Sequence, residues 1–292
     1  MSASNTITDT VSPVYRCDDV SDEDGIQTTT EKTRAFLDDA TRHEHKHVIL
    51  ISSAMVYGAW ENNPAPLSED DVVRPVPGFA FGQACVTAEA LVEQWRSEAD
   101  DRTATILRPA PVVGAAGNSR LVLALAHAVS NESVGSVMSA QFLHFDDLES
   151  AIAFAQLRKP DGVFNVAPDG AISGERLSEL AAHPLRIKLP RWARDVVDIL
   201  RWRIQRGPIP PGLRQYTRHT WVVSNEKLRT LGWEPRVSNE EAYVEGTTGS
   251  WVSTLSAKRR QELSLAAMGA TGVLIVSILL IVVRRVRRGH LQ

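Results

Sequence analysis

Cysteine is nearly absent from this chain, with two residues, Cys17 and Cys85, among 292. So low a count, at so wide a spacing, fits no disulfide-rich scaffold and no metal or redox spacing readable along the chain. Nothing in Met1 to Thr10 resembles a signal peptide, and the implied compartment is reducing and cytoplasmic. No glycine-rich turn precedes Gly58, so that stretch lacks the dinucleotide fingerprint, which seats a pyrophosphate on a helix N-terminus. A basic body is lacking as well. The net charge is −3, but the segment from Lys258 to Gln292 holds seven basic residues against one acid, a net +6 that leaves −9 for the rest. An acidic body with a basic tail does not read as a nucleic-acid binder, whose domain carries a basic face. What is present suffices for one sizeable core, at 43% hydrophobic and 23% charged, and the expectation is one main globular domain with appendages.

The informative stretch is His47 to Glu89. His47-Val-Ile-Leu-Ile-Ser-Ser53 is an apolar run ending in two hydroxyls. It reads as a strand buried on both faces of a parallel sheet, with functional side chains at its C-terminal end. A Pro- and acid-rich loop follows (Pro64, Pro66, Glu69, Asp70, Asp71, Pro75, Pro77), then a helical pattern from about Phe79 to Glu98. Strand, long loop and helix make half of a βαβ unit.

Ser52-Ser53-Ala54-Met55-Val56-Tyr57-Gly58 and Phe81 to Glu89 resemble the extended short-chain dehydrogenase/reductases, the NAD-dependent epimerase/dehydratase family. In that family a strand ends in Ser-Ser-x-x-Val-Tyr-Gly, and a Tyr-x-x-x-Lys pair lies on the next helix. The first motif matches at every fixed position. At the second, Phe81 stands for the Tyr, Cys85 for the Lys, and Glu89 keeps the acid four positions on. The resemblance implies that the Tyr is the general acid/base, that the Lys lowers its pKa and holds the nicotinamide ribose, and that the Ser orients the substrate oxygen. Residues i and i+4 share a helix face and serve one pocket. Phe has no proton to exchange and Cys no fixed positive charge, so Ser53 is retained while Phe81 and Cys85 are substituted catalytic positions. By the same resemblance Ser52, Tyr57, Pro109 and Ala110 would line the cofactor site, and the cofactor would be NAD or NADP.

The rest of the chain follows the family pattern. Residues 1–28 read as a polar, acidic, flexible arm with a strand candidate at Thr6 to Tyr15, and a helix is expected from Thr29. In the family roughly 60 to 70 residues precede that helix, including the first strand and its Gly-x-x-Gly-x-x-Gly turn; here there are 28. Without those strands the Ser53-bearing strand would be an apolar edge. The expectation is that Thr6 to Tyr15, a second copy or another protein covers it. His43, His45 and His47 alternate, but no carboxylate or Cys at ligand spacing joins them, and no metal is expected. Thr103 to Leu107 reads as a strand. The following Arg108-Pro109-Ala110-Pro111-Val112-Val113-Gly114 resembles either the family's nicotinamide-facing exit or a turn shaped by two prolines. Ser119 to Ser130 reads as helical and Ser136 to Phe142 as extended. In His144-Phe145-Asp146-Asp147-Leu148-Glu149, Asp146 and Glu149 form a capping-box pattern. Gly162 to Ala167, Ser173 to Ala181, Thr220 to Ser224 and Lys227 to Pro235 resemble later family elements, so the likeness runs from about Thr29 to Val244.

Two segments point to a membrane. Leu265 to Val283 is 19 residues without a charge between Lys-Arg-Arg and Arg-Arg-Val-Arg-Arg. As a helix it would span about 28 Å, near the hydrocarbon thickness of a bilayer. Leu185 to Arg206 carries seven basic residues and two acids interleaved with Trp192, Val196, Ile199, Leu200 and Trp202. That is the composition of an interfacial helix or, alternatively, of a lobe helix whose arginines hold a diphosphate.

The expected fold is therefore α/β: an incomplete Rossmann-like parallel sheet with a small C-terminal lobe and one transmembrane helix. Its parts are the arm at 1–28, a domain at 29–256 (Rossmann part about 29–166, lobe about 167–256) and an anchor at 257–292. The expected protein is a single-pass cell-membrane member of the family, its main domain cytoplasmic, catalytically degenerate and acting as a binding or scaffolding subunit. Its expected partners are the membrane and a second copy or another protein at the sheet edge, and not nucleic acid. The alternative is an active NAD(P)-dependent epimerase or reductase on a nucleotide sugar or lipid-like substrate, with the missing half supplied by a partner or a longer gene product.

Overall fold

The computed structural model describes residues 11–20, 22–114, 121–122, 125–126, 138–180 and 212–248. At its centre is a four-stranded, wholly parallel sheet of order β1-β2-β3-β7, made of β1 (Val14–Arg16), β2 (His47–Ile51), β3 (Thr103–Pro109) and β7 (Gly162–Val166). The register pairs Val14 with Ile49, His47 with Thr103 and Thr105 with Gly162. All five residues of β2 are buried. Val48, Ile49 and Leu50 lose all contact with solvent, each worth about 1.5–3 kcal/mol of apolar transfer.

Two helices connect the first three strands. Helix α1 (Glu23–Arg42) starts at Asp22, whose carboxylate accepts the Gly25 N–H at 2.9 Å, and carries Glu23 and Asp24 in its first turn, where negative charge complements the helix dipole. It buries Thr29, Thr33, Leu37 and Ala40 along one stripe. The hydroxyl of Thr33 donates to the Thr29 carbonyl at 2.7 Å, so that inner face carries no unpaired Thr33 donor. Helix α2 (Ala80–Ser97) packs on α1, where the Trp95 indole donates to the Thr41 hydroxyl at 2.8 Å. Beyond β3, the pair β4 (Val112–Val113) and β6 (Leu143–His144) leads into α3 (Phe145–Arg158), which returns the chain to β7. The lobe contains β5 (Ser139–Ala140) antiparallel to β8 (Ile172–Ser173), then α4 (Gly174–Leu180), α5 (Glu226–Thr230) and α6 (Asn239–Thr248).

Two expectations change, and at the sheet edge one of the expected covers is found. The stretch at 1–28 is not an arm throughout, because Val14–Arg16 pairs with β2 and α1 begins at Glu23 rather than Thr29. The strand candidate at Thr6 to Tyr15 overlaps β1; the missed signal was the Asp22-Glu23-Asp24 start of the helix. The edge of β2 is covered from within the chain, with Ile49 N–H donating to the Pro13 carbonyl and Cys17 N–H to the Ile51 carbonyl, each at 3.0 Å. The α3 cap is His144 and not Asp146, since the His144 Nδ1 accepts the Asp146 N–H at 3.2 Å; an imidazole nitrogen can act as the capping acceptor that the Asp-x-x-Glu pattern suggested two residues later. Contacts divide the chain into Met1–Thr247 and Thr248–Gln292. Most of Ser119 to Ser130 and all of Leu185 to Arg206 and Leu265 to Val283 lie outside the described residues. Among the described residues no helix is long and apolar enough to cross a membrane.

Candidate functional site

The parallel strands bring their C-terminal ends together, which is where an open α/β sheet places its chemistry. Ser52 continues the ladder past β2, its N–H donating to the Leu107 carbonyl at 2.8 Å, while its hydroxyl donates to Glu89 Oε1 at 2.5 Å. Ser53 turns the chain: its hydroxyl accepts the Met55 N–H at 3.2 Å and caps the single 3₁₀ turn Ala54–Tyr57. Gly58 closes that turn at φ 70°, where a Cβ would lie 2.3 Å from both the Arg74 carbonyl oxygen and the Trp60 indole nitrogen, so only glycine fits. The serine that the resemblance assigns to a substrate oxygen accepts a backbone N–H here and keeps its own O–H as a donor.

The centre of the site is an ion pair that sequence reasoning missed. Arg108, at the end of β3, sends Nε and Nη2 to the two oxygens of Glu89 on α2, at 3.0 and 2.7 Å, and Nη1 to the Tyr57 hydroxyl at 2.8 Å. The Tyr57 hydroxyl in turn donates to Asn165 Oδ1 on β7 at 2.9 Å, and the Arg108 guanidinium lies 4.9 Å from the Tyr57 ring centre. Residues Arg108, Glu89, Tyr57 and Asn165 are 5, 8, 1 and 0% exposed, so this is a desolvated pair that holds together only because each polar group is matched. Burial pushes the Tyr57 pKa up, while the charge and hydrogen bond of Arg108 and the bond to Asn165 oppose the shift. Burial by itself would lower the Arg108 pKa; the hydrogen bond and charge of Glu89 outweigh it and raise it. A charged residue directly after the buried Ile106-Leu107, and an Asn inside Val163-Phe164-Asn165-Val166, were the signals available.

Phe81 and Cys85 share a helix face, and both are buried. Phe81 meets Phe79 edge to face at 6.1 Å, and Phe79 leans on Tyr216 at 5.0 Å. Cys85 is wholly buried, against the Ser52 hydroxyl and the Cys17 thiol, and burial raises its pKa well above the thiol range. Pro109 and Ala110 end β3; the Ala110 N–H donates to the Val166 carbonyl at 2.9 Å. Ser53, Tyr57, Phe81, Cys85 and Pro109 are all buried. A recess of about 200 Å³ lies beside them, lined by Ala54, Ala110, Pro111, Gln141, Trp221 and Val222 among others. That is below the volume typical of a small-molecule site. The acid-rich loop closes over the strand ends: Glu69 accepts the Asn165 N–H at 2.7 Å, and Leu67 exchanges backbone bonds with Val222 and Ser224 at 2.8 and 2.7 Å.

The N-terminus of α1 does not fit the pyrophosphate of a dinucleotide. After β1 and into the start of α1 come Asp18, Asp19, Asp22, Glu23 and Asp24, and Asp22 already takes the Gly25 N–H that a phosphate would need. A helix N-terminus binds phosphate through free N–H groups and positive potential, and five carboxylates reverse that potential. His43 is exposed and His45 half-buried; His47 is buried between Ser12 Oγ (2.7 Å) and Thr105 Oγ1 (2.9 Å).

A parallel sheet with helical crossovers, serines at one strand end and a small second lobe define a Rossmann-like α/β protein. Residues 15–167 match the NAD dependent epimerase/dehydratase family, and the chain belongs to that family. Uncharacterized proteins of Mycobacterium tuberculosis and Mycobacterium bovis are 26% identical over 204 residues, 68% of this chain and 53% of theirs; the chain thus spans about half the length of these curated relatives. Among solved structures, the UDP-glucose 4-epimerase of Thermotoga maritima with UDP-glucose aligns at TM-score 0.55 and 20% identity over 77% of this chain and 69% of its own. Pal from Bacillus thuringiensis aligns at 0.59 and 18%, over 85% and 78%, and RMD from Pseudomonas aeruginosa with NADPH at 0.56 and 18%, over 77% and 72%. These likenesses show the fold.

Proposed function

We propose that this chain is a catalytically degenerate member of the epimerase/dehydratase family that works as a binding or scaffolding subunit. The observation that carries this reading is the pair of positions 81 and 85. Where family resemblance expects a proton-exchanging Tyr and a cationic Lys, the chain has a phenyl ring in an aromatic cluster and a fully buried thiol. Tyr57 does not replace the lost acid, because both bonds of its hydroxyl are taken by Arg108 and Asn165 and burial raises its pKa, the wrong direction for a general base near neutral pH. The run Leu265 to Val283 supports a single-pass membrane anchor, since its length matches a bilayer core; the reading places the α/β domain on the cytoplasmic side.

The test is NAD(H) and NADP(H) binding by calorimetry on the full chain in detergent, with a Phe81→Tyr/Cys85→Lys double variant alongside. No heat of binding up to millimolar nucleotide in either protein is expected. Micromolar binding by the natural chain would overturn the reading. A second reading, an NAD(P)-dependent epimerase or reductase acting on a nucleotide sugar or lipid-like substrate, draws support from the relatives' greater length, since a further polypeptide segment could supply what this chain lacks. Adding such a partner and recovering nucleotide binding would favour it.

A further inference from the structure

The two cysteines lie 68 positions apart in sequence, and the fold brings them together. The backbone N–H of Cys17 donates to the Ile51 carbonyl at 3.0 Å, which sets Cys17 beside the end of β2, next to Ser52. The Ser52 hydroxyl bonds to Glu89 at 2.5 Å, and Cys85 lies one turn before Glu89 on the same face of α2. Both thiols therefore lie beside Ser52, are free and are 5 and 0% exposed, and the Cys17 thiol is among the neighbours that raise the Cys85 pKa. Neither has a part in the network centred on Arg108.

We propose that Cys17 and Cys85 are a redox couple, closed to an intramolecular disulfide by a low-molecular-weight disulfide such as oxidised glutathione, which ties the edge strand β1 to helix α2. β1 is three residues long and hydrogen-bonded on one side only, to β2, among the described residues, so it opens more readily than the strands inside the sheet. Opening exposes Cys17 first. Its thiolate attacks one sulfur of the oxidant, forming a mixed disulfide and releasing one thiolate. The Cys85 thiol then loses its proton to solvent, attacks the Cys17 sulfur and expels the second thiolate. The two protein thiols give up two protons and two electrons, and the oxidant's S–S bond takes them up as two thiols. While β1 is closed, the buried Cys85 thiol stays protonated and unreactive, which makes strand opening the gate.

The experiment equilibrates the full chain in detergent with glutathione buffers of increasing oxidised fraction, quenches with acid, alkylates the free thiols and maps the peptides. The expected product is a monomer lighter by two hydrogens, containing a Cys17–Cys85 linked peptide that reduction reverses. In that form the amides of Val14 to Cys17 should exchange roughly tenfold or more slowly than in the reduced protein. Cys85→Ser should stop at a glutathione adduct on Cys17. Two free thiols at the most oxidising buffer, or only disulfides between chains, would overturn the proposal, and this result comes from the natural chain without relying on any variant to fold.

Discussion

Arg108 has all three guanidinium nitrogens bonded to protein groups, and the consequence is asymmetric. Arg108→Ala leaves Glu89 buried and unmatched, and should cost about 3–5 kcal/mol in a thermal or urea melt. Arg108→Met/Glu89→Leu removes both charges and should cost much less, because neither ion is left uncompensated. A double variant no more stable than the single one would show that the pair does not act as a unit. His47 gives a pH signature. The Thr105 hydroxyl donates to the Pro160 carbonyl, so it accepts from His47 Nε2–H, and His47 Nδ1 accepts from Ser12. The neutral ring is fully satisfied, and a second proton would displace the Ser12 bond. Burial, then the charge of Lys159, lowers its pKa from 6.5 to about 4. The folded protein thus favours the neutral form more strongly than the unfolded chain does. Its contribution is fully present above pH 6.5 and is lost as pH falls from there through about 4. His47→Gln should flatten that part of a stability–pH curve measured between these limits. Both networks were illegible in the sequence for one reason: the partners lie 51 positions apart for Tyr57 and Arg108 and 58 for His47 and Thr105, and no local pattern encodes such pairs.

At the scale of elements, β2, α2, β3 and β7 could be read from the sequence. Their apolar runs or helical periods are long enough to override local ambiguity. The bounds of β1, placed only roughly by the candidate at Thr6 to Tyr15, and the imidazole cap of α3 were not, because three residues carry no period and His144 is not a preferred capping type. Gly58 tests the turn that holds Ser53 and Tyr57. Gly58→Ala puts a methyl against the Arg74 carbonyl and the Trp60 indole at a left-handed φ, and should lower stability by about 1–3 kcal/mol. An unchanged melting temperature would mean that the turn relaxes freely. Strand β1 shields the apolar edge of β2. Deleting the chain through Val20 should expose that edge and drive association at micromolar concentration, read by light scattering; a monodisperse monomer would contradict this.

For the whole molecule, an acidic α/β body precedes a basic, apolar C-terminal segment. If that segment is an anchor, as proposed, the full chain should stay with membranes through alkaline carbonate extraction, and removal of residues 257–292 should release it to the soluble fraction. Full-length protein recovered in the carbonate supernatant would remove the anchor from the reading.

The sequence by itself determined the family resemblance, the parallel α/β class and the substitutions at Phe81 and Cys85, because these rest on local periodicity and on motifs in contiguous stretches. It located the strand-end serines but could not say what they bond. Only the tertiary structure decided that Ser53 caps a turn, that Tyr57 is held by Arg108, that Glu69 closes the loop over β7 and that Cys17 meets Cys85. Each of these depends on side chains from different strands and helices meeting in a desolvated interior, where the cost of an unmatched polar group selects the partner.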